Sequence, residues 1–153
     1  MTEATLVFLI REDEILLTYK KRGFGMGKWN GAGGKVENET IKDAAIREVK
    51  EEVGVIVQEI DHVATISFYN AGVFDWRVHV FLCWQFIGIP KEGDEVRPKW
   101  FKLEEIPYDN MWEDDRYWLP RVLTGEKVEG EFYYSEGLEK LQSYDLRKSN
   151  TES

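Results

Sequence analysis

Three glutamates and two aspartates are the side chains of this 153-residue sequence best placed, by type and spacing, to do chemistry. Glu48, Glu51 and Glu52 recur at helical intervals. At about 100° per residue they occupy one arc of roughly 100°, beside an apolar arc formed by Ile41, Ala45, Ile46, Val49 and Val53. Like charges three and four residues apart repel by a few tenths of a kcal/mol on an open helix, and by about 2 to 3 kcal/mol in a cleft of lower dielectric. A hard divalent cation removes that cost. Several carboxylates, with water and phosphate completing the shell, suit Mg²⁺ or Mn²⁺. E-x-x-E-E runs are also common on solvated helix faces, so this run alone does not decide between the two readings. Asp114 and Asp115 are adjacent and bracketed by Trp112 and Trp118. If both side chains converge in a dry pocket, burial and mutual repulsion raise one pKa, so one carboxyl donates while the other accepts. The same aspartates could instead start a helix, with the tryptophans in the core.

The elements that must position these groups follow from local signals. Thr40 and Asp43 have capping spacing and Gly54 suits a left-handed C-terminal residue, so a helix is expected from Thr40 to Val53. Before it, Thr5 to Ile10 and Ile15 to Lys20 read as strands joined by the polar turn Arg11 to Glu14. Lys20 to Gly34 contains six glycines and four basic residues, Lys20, Lys21, Arg22 and Lys28. It is either a flexible connection or a loop that approaches phosphate closely. After the helix, Val55 to Val57 and His62 to Tyr69 read as strands, Asn70-Ala71-Gly72 as a turn, and Trp76 to Ile87 as a central strand. His79 and Cys83 within that strand read as core residues rather than ligands. Further strands are expected over Lys99 to Leu103, Lys127 to Tyr134 and Leu141 to Arg147. A helix after Asp114 or Asp115 would present Trp118, Leu119, Val122 and Leu123, with Pro120 restricting or bending it. Residues 148–153 read as a frayed tail.

Composition narrows the function. The length suits one domain spanning residues 1–153, and 42% hydrophobic with 14% aromatic residues argues for a packed core. No apolar run reaches membrane-span length and no signal peptide is evident, so a cytoplasmic location without membrane attachment is expected. One cysteine leaves no internal disulfide. The net charge of −9 disfavours long nucleic acid as a partner, whereas a small phosphorylated molecule can be met by a metal and a few basic side chains.

Gly33, Glu39, Arg47, Glu48, Val49, Glu51, Glu52, Gly54 and Val55 fit G-x5-E-x7-R-E-U-x-E-E-x-G-U, where U is a bulky aliphatic residue. This pattern resembles the Nudix box. The resemblance implies a Nudix fold of class α/β, a mixed sheet between α-helices (α/β/α), and Mg²⁺-dependent hydrolysis of a nucleoside diphosphate linked to another group. It places Glu48, Glu51, Glu52 and Arg47 in catalysis, gives the metal Gly33, Gly34, Glu48, Glu51, Glu52 and Glu95, and pairs Arg47 with Glu39 to brace the loop. The loop GGKVENE is one residue shorter than is usual there, so either it is tightened or Asn38 takes a left-handed turn.

Four further stretches, KKRGFGMGKWNGAGGKV, RVHVF, DEVRPKWF and MWEDDRYWLP, resemble the vertebrate-type oxidised purine nucleoside triphosphatases within that superfamily. This implies a base and phosphate site made by Thr5, Lys20, Phe24, Asn30, Phe68, Trp112, Asp114, Asp115 and Trp118. It also implies a small-molecule nucleotide substrate, cleaved to monophosphate and pyrophosphate by a monomer. Indole faces suit purine stacking and the Asn30 amide suits a base edge. Ala32, Glu113, Trp76 and Arg77 depart from the usual residues of that family.

Overall fold

A computed structural model describes residues 1–149. Strand β1 (Thr2–Arg11) alternates its side chains between two cores, as the period of a strand requires. Phe8 and Ile10 join one buried cluster; Val7 and Leu9 join the other. Strand β2 (Glu14–Lys20) returns antiparallel and divides likewise, with Ile15 and Leu17 on the first side and Leu16 on the second. The order continues through β3 (Trp29–Asn30), helix α1 (Ile41–Val53), β4 (Ile56–Asn70), β5 (Val73–Ile87), β6 (Val96–Lys102), helix α2 (Asp115–Leu123), β7 (Val128–Tyr134) and β8 (Leu141–Lys148).

The strands form a mixed sheet in the order β3-β2-β1-β5-β4-β7-β8, with β6 on the other side of β2. β1 runs parallel to β5, from Thr2 opposite Trp76 to Leu9 opposite Cys83, and β4 runs parallel to β7. α1 packs Ala45, Val49 and Val53 on the cluster that contains Val7 and Leu9; α2 packs Trp118, Leu119 and Val122 on the opposite one. The sheet therefore lies between two helices, as the sequence implies.

The site depends on a split in this sheet. β1 and β2 pair only at their hairpin end, Ile10 with Ile15 and Arg11 with Glu14. Beyond it they diverge, β2 pairing with β3 and along its whole length with β6. Segment 31–36 fills the gap along β1: Val7 and Ala32 exchange N–H···O bonds of 2.6 and 2.9 Å, and the Thr5 N–H donates to the Gly34 carbonyl at 2.8 Å. Gly33 has to be glycine here, because a Cβ would overlap the Thr5 carbonyl.

Most expected elements are present with adjusted bounds; two expectations need correction, and the alternative left open for the loop is decided. Ile56–Val57 and His62–Tyr69 belong to one strand, β4, with Val55 just before it, and the strand carries its polar interior through register shifts around Glu59, Asp61 and His62. Asn38 is not left-handed: the Glu39 N–H donates to the Glu37 carbonyl at 2.8 Å, so the shortened loop is tightened instead. Lys148 is not frayed but ends β8 opposite Val128, and the Ser149 N–H donates to the Lys127 carbonyl. The rest of that proposed tail, 150–153, lies outside the described residues. The Asn70 turn has the positive φ at Ala71 (48°) and Gly72 (85°) that a two-residue hairpin loop requires. Among the described residues no helix is long and apolar enough to cross a membrane.

Candidate active site

Helix α1 is set by its own ends. Thr40 accepts the Asp43 N–H on its side-chain oxygen at 3.1 Å, and Gly54, at φ 76°, returns its N–H to the Lys50 carbonyl. With the apolar stripe on the sheet, Glu48 and Glu52 are turned toward segment 33–34, and Glu51 remains more exposed. Arg47 ties this edge together. Its guanidinium donates to Glu39 through Nε at 3.0 Å, to Glu48 through Nη1 at 2.9 Å and to Glu51 at 3.0 Å, and Nη2 reaches the Lys35 carbonyl. The expected Arg47–Glu39 brace is thus formed, and Arg47 holds Glu39 below the usual carboxylate range.

Glu48, Glu51, Glu52 and Glu95 line one cavity of about 170 Å³, together with Gly93 and Asp94. Burial pushes Glu48 up, and burial pushes Glu52 to about 7 against the Gly33 N–H and Lys20, with Glu48 and Glu95 adding repulsion. Glu95 goes the other way, its carboxyl lowered mainly by Arg22, which donates to it at 3.0 Å. Among the described residues no three acidic, histidine or cysteine side chains are gathered at ligand spacing, since Arg47 now engages Glu48 and Glu51. The donor set nonetheless fits a hard divalent cation. All its oxygens are carboxylate, and Gly34 leaves open a position where a Cβ would fall 2.5 Å from the Glu48 carboxyl. The Gly34 carbonyl already accepts from the Thr5 backbone, so a cation there would share it.

Glu52 also borders a second, larger cavity of about 350 Å³, opened by the split between β1 and β2. Thr5, Lys20, Phe24, Asn30, Phe68, Trp112, Asp114, Asp115 and Trp118 all line it, so the structure gathers every expected base- and phosphate-site residue around one space. Lys28 lies there too, 5.2 Å from the Trp112 ring. Lys21 and Arg22, the other two cations of the glycine-rich loop, are instead paired with Glu92 and Glu95. Phe24 is 61% exposed and its ring lies 5.2 Å from that of Trp112, forming an aromatic lip. The Asn30 Oδ1 accepts the Gly31 N–H, which leaves the amide nitrogen as the free donor of that side chain.

The closed end holds the aspartates, only 1% and 2% exposed. Asp114 stands at the N-cap position of α2 but its side chain caps nothing. Its Oδ2 accepts the Trp118 Nε1–H at 2.7 Å and its Oδ1 accepts the Tyr134 hydroxyl at 2.5 Å. Burial raises the Asp114 pKa against these two donors; Asp115 is raised further, by burial and then by the Asp114 charge. Burial and the Asp114 charge thus both favour the protonated form of Asp115, and its Oδ2 is the only buried side-chain oxygen or nitrogen without a hydrogen-bond partner among the described residues. Trp118, 1% exposed, is the core residue of the alternative reading and also donates to Asp114.

Among the lining residues absent from the sequence-based site, Tyr134 and Trp76 bear most directly on the base pocket. Tyr134 had a legible signal: it ends a strictly alternating strand facing inward, and a buried phenol requires a partner. Trp76 is opposite Phe68 in register, and that pairing of distant segments is invisible along the chain. Buried Cys83 is the core residue expected, whereas His79 is only half-buried, its Nε2 3.0 Å from Glu3, and it joins neither core cluster.

An acidic helix edge opening into a nucleotide-sized cleft within an α/β/α sandwich defines a phosphate-processing class of protein. Residues 1–122 match the NUDIX domain family model, and the chain belongs to that family. It is 44% identical over 146 residues to the oxidized purine nucleoside triphosphate hydrolase of Mus musculus, covering 94% of this chain and 93% of that protein. It is 43% identical to the protein of the same name from Danio rerio, covering 93% and 88%. Among solved structures, a mutator MutT protein from Bacillus halodurans superposes with a TM-score of 0.84 at 27% identity, over 95% of this chain and 97% of that one.

Proposed function

We propose that this Nudix hydrolase cleaves oxidised purine nucleoside triphosphates, such as 8-oxo-dGTP and 2-hydroxy-dATP, to monophosphate and pyrophosphate, as a cytoplasmic monomer that cleanses the nucleotide pool. One observation carries the reading: a single cavity joins Glu52 of the acidic edge to the buried Asp114–Asp115 pair. The length of a nucleotide is then read at one end and its phosphates are processed at the other. The names of the mouse and zebrafish relatives point to the same substrates.

Glu48, Glu51, Glu52 and Glu95 would hold Mg²⁺. When bound, the ion neutralises phosphate charge and lowers the pKa of water. Lys20 and Lys28 meet the phosphate tail along the wall. Glu52, which borders both cavities, is the group that takes the proton from the attacking water. Arg47 positions Glu48 and Glu51 and keeps the loop against the helix. At the other end Phe24 and Trp112 stack on the base, Asn30 donates to it, and the aspartates offer one acceptor and one donor.

The test is pyrophosphate release with Mg²⁺ from 8-oxo-dGTP, 2-hydroxy-dATP, dGTP, dATP and a nucleotide sugar, compared as kcat/KM. Preference for the oxidised purines over their parents is expected. Turnover of the nucleotide sugar alone would remove the purine reading and leave the hydrolase.

A further inference from the structure

Tyr134 contacts Asp114 twice. Its oxygen accepts the Asp114 backbone N–H at 3.1 Å while its hydroxyl donates to Oδ1. The first bond occupies an acceptor lobe of the phenol and turns its hydrogen toward the carboxylate. With Trp118 Nε1 on Oδ2, each Asp114 oxygen already accepts from a protein donor that has no other role. On Asp115 the Trp112 backbone and the Asp114 carboxyl act on the side chain, and its buried Oδ2 has no partner among the described residues. We propose that Tyr134 is a specificity-setting positioning residue: with Trp118 it holds Asp114 as the acceptor and leaves Asp115 as the donor, fixing one hydrogen-bond order in the base pocket. This rests on the reading of the cavity as a purine site.

The consequence follows from purine chemistry. The pairing edge of 8-oxoguanine runs donor, donor, acceptor, from the 2-amino group through N1–H to O6. In the keto form of 2-hydroxyadenine the order is reversed: O2 accepts, and N1–H and the 6-amino group donate. The sugar, leading toward Glu52, fixes which end of the edge meets which aspartate. Both orders fit only if the shared proton moves between Asp114 and Asp115. A proton on Asp114 Oδ1 would lose the Tyr134 bond, so the tyrosine penalises the exchange and widens discrimination between the two bases. Burial and the Asp114 charge keep the phenol itself protonated. The other ionisable groups facing this space are Tyr108 next to Asp115, and Lys20, Lys28, Lys35 and Glu52 farther along the cavity.

The experiment compares kcat/KM for 8-oxo-dGTP and 2-hydroxy-dATP, across pH, in the wild type and in Tyr134→Phe, Asp114→Asn and Asp115→Asn. Phenylalanine keeps the ring, so its main change is the lost donor. The expected result is a ratio between the two substrates compressed about tenfold in Tyr134→Phe, with the acid limb of kcat/KM moved up by about one pH unit as Asp114 loses a donor to its anion. A purely packing role would move neither. If Asp115→Asn alters the ratio while Tyr134→Phe leaves ratio and acid limb in place, the tyrosine role falls and the purine site stands. If neither asparagine variant alters the ratio, the purine site falls and this inference with it. Carboxyl ¹³C titration of the wild-type protein is a check independent of any variant: Asp115 should retain its proton to higher pH than Asp114, and the opposite order overturns the assignment.

Discussion

The acidic edge of α1 and the aspartate pair at the head of α2 contain the same functional group and solve the problem of its charge in opposite ways. Around α1 cations answer most of the carboxylates: Arg47 bridges Glu39, Glu48 and Glu51, and Lys20 and Arg22 meet Glu95, while burial raises Glu52 to about 7. At α2 no cation approaches within ion-pair distance of the aspartates among the described residues; neutral donors from Trp118 and Tyr134 stabilise one carboxylate, while burial and that charge push the other carboxyl toward its protonated form. Partly hydrated negative charge can be transferred from an arginine to a metal and a phosphate. A dry pair instead holds a fixed pattern of donor and acceptor, which is what reading a base edge requires.

The two regions should therefore break differently. Glu52→Gln removes the proton acceptor at the junction, and kcat should fall by about 10²–10⁴-fold with the fold retained. Glu51→Gln should also impair turnover far more than folding. Steady-state rates across a Mg²⁺ titration, beside thermal unfolding, check both; wild-type turnover in either variant would remove its proposed role. Asp115→Asn should act on choice rather than rate, changing the kcat/KM ratio between oxidised purines by about 10- to 100-fold, since each hydrogen bond to a base edge contributes about 1 to 3 kcal/mol. Smaller again is the aromatic lip. Trp112→Ala should weaken substrates by about 1 to 3 kcal/mol through lost stacking, with all purines affected alike. Ligand-binding calorimetry on a non-hydrolysable purine nucleotide measures this directly, and a base-selective loss would show that Trp112 reads identity instead.

The same contrast explains what was legible in the sequence. Helix α1 and its three glutamates are encoded locally, by Thr40, a 3.6-residue period and Gly54, so their place and orientation follow from adjacent residues. The adjacency of Asp114 and Asp115 between two tryptophans marked the second region as well. What joins the two regions was not legible from local pattern. The β1–β2 split, the insertion of Gly33 and Gly34 beside Thr5, and the register that brings Trp76 to the cavity are pairings between distant segments. β4 escaped as a single strand because its bulged stretch, Glu59 to His62, breaks the alternation that would reveal it.

A final prediction separates hydration from charge using stability alone. Glu52 has an ordinary pKa of 4.5 and is raised to about 7 by burial in the folded protein. As pH rises, the unfolded chain therefore releases this proton first, so the stability associated with the protonated group is fully present below 4.5 and is lost as pH passes through about 7. Glutamine resembles the protonated acid and carries no such loss. Without divalent metal, Glu52→Gln and wild type should unfold together near pH 4, and by pH 8 the variant should be more stable by about 2 to 3 kcal/mol. Mg²⁺ should reverse that order, because ligand binding to the folded state stabilises the carboxylate form. Denaturant melts at the two pH values, with and without Mg²⁺, are sufficient. Parallel wild-type and variant curves at all pH values would mean that Glu52 is as well hydrated as an ordinary surface carboxylate. The α1 edge would then be hydrated throughout, with the dry carboxyls confined to Asp114 and Asp115.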